Sequence, residues 1–349
     1  MQEAGMAAGG QRAPRVPRLM AVLVAAAVGL ASCGDGSGGS PSAGSGGATT
    51  VRIAEQAPCV CQLAFYVAVD EGIFAEHGIE ASFVTEPTPL TGVLTGAAEM
   101  SMASPGQAAL AHTRGADVRV LVTAQSRLTQ AVFVRPDVSL SDPSDWQQVA
   151  QDLRGRRVGI TTRGGSTDTN LRYILSQAGL DPDSDVQIVP LGAGPSMIAG
   201  VEAGQVEAAL SYQPLTATML ARDLGMVAID LAAGQGPAAL DQPMTTGIVS
   251  GDLAADHPET LDDIVAAMDD AVELMSDPAN REQVMAVARD RLAGTDDATL
   301  TELLDQLQPL LRTTYTEQDH DHVVQLLVDS ELLESAIPYD QMTTAETQR

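Results

Sequence analysis

Two short stretches of this chain echo each other: GAAEMSMAS at residues 96–104 and GQVEAALS at residues 204–211. Each opens on a glycine, places a glutamate three residues later, and runs through apolar residues to a serine where a helix would start. The turns before them match too, one ending LTG and the other EAG. A glycine stop, a short apolar run and a fresh helix start mark one joint of a layered α/β sheet. Two such joints far apart in the chain predict two related lobes. Strand–helix units resemble one another by construction, so chance likeness stands as the alternative.

The rest of the chain fits that frame. Residues 51–56 read as a strand and residues 62–77 as one helix stopped by Gly78. Residues 79–84 alternate like a strand, residues 89–97 suit a helix, and residues 100–103 a buried strand. Ser104 and Pro105 open a helix that ends near Gly115, with serine as cap and proline in first position. Residues 118–124 form a strand. A second unit begins near Asp152, with strands at 157–162, 186–189, 206–210 and 226–231 and helices between them. One of those helices follows the turn RGGST and stops at Gly179, and another follows Pro214. Residues 244–249 read as a strand returning the chain to the first lobe. From Asp252 onward the pattern is almost all helix, and the final TTAETQR should fray. Strands alternating with helices mean an α/β fold with parallel sheet.

The first residues read as a processing signal. Arg12, Arg15 and Arg18 precede the apolar run LMAVLVAAAVGLA, which is too short to span a bilayer comfortably. LASC follows at once, and it resembles the lipobox of bacterial lipoproteins. On that resemblance residues 1–32 are removed and Cys33 becomes the lipidated N-terminus. A plain secretory signal with an incidental cysteine is the alternative. Residues 33–50, rich in glycine and serine, then form a flexible tether outside the cytoplasmic membrane.

Charge excludes several functions. The chain carries 46 acidic and 19 basic residues, a net charge of −27, and every basic residue is arginine. No nucleic-acid partner is expected without a basic patch. Without lysine there is no Schiff base, no pyridoxal-phosphate enzyme and no Walker-type phosphate loop. The five histidines are scattered, and no triad spacing, nucleophile elbow or HExxH occurs. No cofactor and no metal are expected.

The segments AFYVAVDEGIFAEHGIEASFV, LTGAAEMSMAS, DLRGRRVGI, GGSTDTNLRYILSQAGL and VEAGQVEAALSYQP, in that order, resemble the nitrate/sulfonate/taurine and thiamine-pyrimidine type of solute-binding protein. The resemblance covers residues 51–270. It implies a two-lobe periplasmic-binding-protein fold with two crossovers. Each lobe would be a mostly parallel sheet flanked by helices, with a helical C-terminal segment. Lobe 1 would comprise residues 51–135 and 243–335, lobe 2 residues 136–242, and residues 336–349 a tail. The implied protein is a lipid-anchored monomer on the outer face of the cell membrane. It would capture a small polar organic ligand, pyrimidine-, sulfonate- or taurine-like, for the permease of an ABC importer.

Ligands in such sheets bind beyond the carboxyl ends of the strands. That rule selects residues 59–65 after the first strand, 86–88 after the second, 103–106 after the third and 126–129 after the fourth; within and beside them Gln62, Phe65, Tyr66, Ser104, Ser126 and Arg127 are the candidate ligand residues. In the second lobe it selects residues 192–196 and, as the candidate ligand residues, Gly164, Gly165, Ser166, Thr167, Ser211, Tyr212 and Gln213. The helix start at 164–167 suits an anionic or strongly accepting group, although an ordinary serine–threonine cap reads the same way. Arg127 and Arg163 would add charge, and Tyr212 is preferred over Phe65 for stacking on a planar ligand. Cys59 and Cys61 sit two apart, where an extended chain points side chains to opposite faces and disfavours a mutual disulfide. They read as a pocket lip or buried packing. Two other readings remain beside the receptor: an enzyme like those that form the thiamine pyrimidine, and a CxC metal-binding lipoprotein.

Overall fold

The computed structural model describes residues 48–348. The signal segment, Cys33 and residues 34–47 of the tether lie outside the described residues, as does Arg349. The first lobe opens with β1 (Thr49–Glu55), α1 (Leu63–Asp70), α2 (Ile73–Glu76), β2 (Ile79–Thr85), α3 (Pro89–Thr95), β3 (Met100–Ala103), α4 (Pro105–His112) and β4 (Val118–Thr123). The second lobe holds β5 (Gln130–Val134), α5 (Trp146–Asp152), β6 (Arg157–Ile160), α6 (Ser166–Gln177), β7 (Gln187–Pro190), α7 (Pro195–Glu202), β8 (Ala208–Tyr212), α8 (Leu215–Ala221) and β9 (Met226–Asp230). The chain returns through β10 (Thr246–Ser250). It ends in α9 (Gly251–Asp256), α10 (Pro258–Ser276), α11 (Arg281–Arg291), α12 (Asp297–Leu307), α13 (Glu317–Asp329) and α14 (Tyr339–Met342).

Each lobe is built on a five-stranded sheet, β2-β1-β3-β10-β4 in one and β7-β6-β8-β5-β9 in the other. The orders correspond strand for strand. In each, the first three strands are parallel and the fourth runs antiparallel to its neighbours. That fourth strand is a loan: β5 follows β4 in sequence but joins the second sheet, and β10 follows β9 but joins the first. The two crossovers run side by side. Thr123 Oγ1 donates to Thr245 O at 3.0 Å, and Leu231 N donates to Gln130 O at 3.1 Å.

The glycine–glutamate echo has a physical basis. Glu99 N donates to Arg52 O, and Glu99 Oε2 accepts from Arg52 N at 2.7 Å and Arg52 Nε at 3.0 Å. Arg52 Nη2 also donates to Gly96 O at 3.1 Å. The second lobe repeats every bond: Glu207 N to Arg157 O, Arg157 N and Nε to Glu207 Oε2 at 2.9 and 3.2 Å, and Arg157 Nη2 to Gly204 O at 3.1 Å. Gly96 and Gly204 take φ of 72° and 68°, a left-handed turn that favours glycine. The clamp thus ties β1 and β6 to the turns that feed their parallel neighbours β3 and β8.

One core joins Val51, Ile53, Leu63 and Phe65 of lobe 1 to Leu261, Ile264 and Met268 of α10. Another runs across both lobes, from Val120 through Val132 and Ile160 to Ile174 and Leu326. Several expectations need correction. The helix expected over 62–77 is a 3-10 turn (Val60–Gln62) followed by α1 and α2, broken where Gly72 takes φ of 77°. Strand β5 and helix α5 fall in a stretch that the sequence reading leaves without elements. Because β5 pairs with β8 and β9, residues 130–134 belong to the second sheet, not to a first lobe reaching residue 135. The tail does not fray: Thr347 Oγ1 lies 2.8 Å from Val120 O and 2.9 Å from Leu121 O, with one proton to share between them, and Thr343, Thr344 and Thr347 are buried. No described helix is long and apolar enough to cross a membrane.

Candidate ligand site between the lobes

A cavity of about 450 Å³ opens where the carboxyl ends of the two sheets face each other. The lobe 1 wall carries Gln56, Cys59, Cys61, Gln62, Ser104 and Gln107, and the lobe 2 wall carries residues 161–167 and Tyr212. Met244 and Thr245 of the second crossover also line it, as do Pro87, Thr88, Met102 and Ala103 of lobe 1 and Ala193 of lobe 2. Its one charged side chain is Arg163, whose Nη2 donates to Ile188 O at 2.9 Å.

The lobe 2 wall is a helix start held from several sides. Gly164 takes φ of 73°, and a Cβ on Gly165 would lie 2.8 Å from Thr162 Oγ1, so the tight turn needs both glycines. Asp168 Oδ2 accepts from Gly164 N at 2.8 Å, and Asp168 Oδ1 pairs with Arg172. That carboxylate already answers part of the positive helix end, which weakens the case for an anion there. Thr167 Oγ1 accepts from Thr161 N, and Ser166 Oγ accepts from Gln130 Nε2 at 3.2 Å. The backbone N–H groups of Ser166 and Thr167 have no hydrogen-bond acceptor among the described residues, and Thr162, Arg163 and Tyr212 line the same wall. Burial pushes the Tyr212 hydroxyl's pKa up, against a smaller opposite effect of the Gly194 backbone.

The lobe 1 wall is built differently. Ser104 and Gln107 form a capping box at the start of α4, each side chain bonded to the other's backbone. Cys59 and Cys61 are joined in a disulfide, against the expectation of separate side chains. The reason is local: the chain is extended only at Cys59 and then coils into the 3-10 turn, which brings the two Cα atoms to 5.2 Å. Both line the cavity mouth.

Of the residues selected by sequence, Gln62, Ser104, Gly164, Gly165, Ser166, Thr167 and Tyr212 come together on this cavity. Six do not. Phe65 and Tyr66 are wholly buried in the lobe 1 core, because α1 turns them inward. Ser211 is buried and bonded to Thr216 Oγ1 at 2.6 Å. Gln213 lies on another face, where its Oε1 accepts from Ala217 N. Ser126 and Arg127 follow β4, the edge strand of the first sheet, enter the first crossover and do not line the cavity. There Arg127 pairs with Asp241 of the second crossover at 2.7 Å. Among the polar and crossover residues of the lining, sequence reasoning missed Gln56, Gln107, Thr161, Thr162, Met244 and Thr245. Gln56, Thr161 and Thr162 lie just past the ends of β1 and β6, so the carboxyl-end rule reaches them once those strands end one and two residues earlier than expected.

No group of three or more His, Cys, Asp or Glu side chains is placed to hold a metal ion among the described residues. The chain is 20% identical to YtlA of Bacillus subtilis (strain 168), described by name as a binding protein, over 311 residues, 85% of this chain and 88% of YtlA. Its fold matches the periplasmic aliphatic sulphonate binding protein SsuA from Escherichia coli with a TM-score of 0.68 at 18% identity, covering 84% of this chain and 97% of SsuA. It also matches the desulfurization enzyme DSZB with a TM-score of 0.63 at 17% identity, covering 86% of this chain and 98% of DSZB. The pattern of the NMT1-like family matches residues 48–289, well over half of the sequence, and the chain belongs to that family.

Proposed function

We propose that this protein is the extracytoplasmic receptor of an ABC importer, holding a small polar organic molecule, pyrimidine-, sulfonate- or taurine-like, between its lobes. The observation that carries the reading is the cavity itself: polar, almost uncharged, and walled by both lobes. A lobe joined to its twin by two adjacent crossovers can close on a ligand by hinge motion. The likeness to SsuA supports a solute-binding role. Cys33 would carry the lipid that moors the domain to the membrane, and the permease would receive the ligand. Against an enzyme on this fold, the cavity lining offers no carboxylate, histidine or lysine, and its two cysteines are paired.

Thermal melting against taurine, ethanesulfonate, nitrate and 4-aminopyrimidine tests the reading. A ligand at a hundred times its Kd adds about 2.7 kcal/mol of stability and should raise Tm by roughly 5 °C. Flat melts across sulfonates, aminosulfonates and pyrimidines would overturn the reading. Melting is the better readout than tryptophan emission, because Trp146, the one tryptophan, begins α5 away from the cavity. For the anchor, Cys33→Ser should abolish labelling by radioactive palmitate and release the protein from membranes.

A further inference from the structure

Behind the lobe 1 wall stands a tyrosine with more to do than fill space. Tyr66 is wholly buried, its ring held edge-on by Phe83 at 5.1 Å and capped by the Arg291 guanidinium at 5.0 Å. Its hydroxyl oxygen lies 2.7 Å from Glu55 Oε2 and 2.6 Å from Gln62 Oε1. A phenol has one proton and cannot donate it fully to two acceptors. Glu55, a carboxylate that only accepts, is the stronger claimant, because a charged acceptor makes the shorter and stronger bond. The hydroxyl then has a lone pair for Gln62, and the amide must answer with an N–H. Oxygen and nitrogen of a glutamine amide are interchangeable in shape, and the bonding network assigns them.

We propose that Glu55, acting through Tyr66, turns the Gln62 amide so that its NH2 group donates to the tyrosine and its carbonyl oxygen faces the cavity. The outcome is a rule for the ligand, and it rests on the receptor reading above. Gln62 is more than nine-tenths buried and lines the cavity, and the far end of its amide has no partner among the described residues. A fixed carbonyl oxygen there accepts an N–H and repels an oxyanion's lone pairs. The opposite wall presents the free N–H groups of Ser166 and Thr167, which suit an acceptor. The site therefore takes molecules that donate an N–H toward lobe 1 and accept toward lobe 2, such as an aminosulfonate or an amino-substituted nitrogen heterocycle. A bare oxyanion fits only half of it. Tyr66 is a positioning residue: it touches Gln62, not the ligand.

Two measurements on the full chain test this. With 15N-glutamine labelling, the Gln62 side-chain NH2 protons should show cross-peaks to the Tyr66 ring with no ligand present. Taurine should then bind about tenfold tighter than ethanesulfonate, and 4-aminopyrimidine about tenfold tighter than pyrimidine, the scale of one satisfied against one unsatisfied buried acceptor. In Tyr66→Phe, which keeps the ring and frees the amide to turn, both ratios should fall toward one. Absent cross-peaks overturn the proposal whatever binds. Ethanesulfonate binding as tightly as taurine, or ratios unchanged in Tyr66→Phe, overturns it as well. If the cross-peaks appear and none of the four probes binds, the orientation of Gln62 is upheld and the receptor reading is what fails.

Discussion

The two lobes share a scaffold up to the ends of their strands and part company there. Ile53 of β1 faces Met100 of β3 as Val158 of β6 faces Ala208 of β8. Carried forward, that register sets Ala103 against Ser211, Ser104 against Tyr212, and Glu55 against Ile160. The serines of the two echoed stretches are thus one residue out of step. Side chains alternate faces along a strand, so a shift of one residue exchanges the buried and the open face. Ser104 reaches the cavity, Ser211 is buried, and Tyr212 holds the place that a second serine would take. Glu55 has an isoleucine for its counterpart, so the Glu55–Tyr66–Gln62 chain exists in one lobe alone. The two lobes thus share the clamp that builds the sheet and differ in the side chains that line the cavity.

The two lobes solve one packing problem in two ways. Gly92 of α3 and Gly200 of α7 both stand four residues before the clamp glycine, and both let a helix lie close on its strand. A Cβ on Gly92 would lie 2.9 Å from Ala54 Cβ, which is fixed to a buried central strand. A Cβ on Gly200 would lie 2.8 Å from Leu191 Cδ2, the end of a half-buried side chain that fills the space left open by Gly159. Leucine can swing aside and a strand cannot. Gly92→Ala should therefore cost about 2 kcal/mol of stability. Gly200→Ala should cost less than about 1 kcal/mol, because alanine's helix preference offsets much of the crowding. Denaturant midpoints at constant slope would measure both, and equal costs would break the distinction.

The cavity entrances differ covalently as well. Lobe 1 closes its entrance with the Cys59–Cys61 disulfide, and lobe 2 with a glycine turn. So short a ring constrains the unfolded chain little, and Cys59→Ser with Cys61→Ser should cost about 1.5 kcal/mol. The loosening should stay local. Hydrogen exchange should quicken at residues 59–66 and not at residues 163–170, and reductant should lower the melting temperature of the wild type but not of the double variant. Equal quickening at both entrances would show that they do not open independently.

Much of this was legible in the sequence because it rests on rules of short reach. Glycine stops, the Ser104–Pro105 cap and the Gly–x–x–Glu echo are local, and each stands where it was read. What escaped depends on partners far along the chain. The buried run of β5 is as apolar as β3, yet nothing in it says that it inserts antiparallel into the other sheet. Arg127 reads as free charge until Asp241, 114 residues on, is brought beside it. The disulfide escaped for a nearer reason: the two-residue argument holds for an extended chain, and the chain turns at Val60. Phe65 and Tyr66 follow the first strand closely enough for the carboxyl-end rule to reach them, but the helix they sit on turns both into the core.

The clamps offer the finest test of likeness, because here the lobes should not differ at all. The paired side chains have matching exposure, 41% and 27% for Arg52 and Glu99 and 41% and 24% for Arg157 and Glu207. Burial works against the charge of Glu99, but the hydrogen bonds and charge of Arg52 outweigh it and hold its pKa below the ordinary carboxylate value. For Glu207 the Arg157 hydrogen bond leads, with the same result. A carboxylate depressed in the folded state adds stability that is fully present above its unfolded pKa, about 4.3 for glutamate, and is lost as pH falls through the lower folded value. Glu99→Gln and Glu207→Gln should each cost about 0.5 kcal/mol at pH 7, given how much solvent screens both pairs. Each deficit should shrink together as pH drops from 5 toward 3, since the wild type loses the same charge. The double variant should show the sum, because the clamps lie in separate sheets. A deficit that persisted at pH 3 would mean that glutamine fails for reasons of shape rather than charge. A deficit in one lobe alone would mean that the shared clamp bears unequal loads, and the symmetry drawn from the sequence echo would end at geometry.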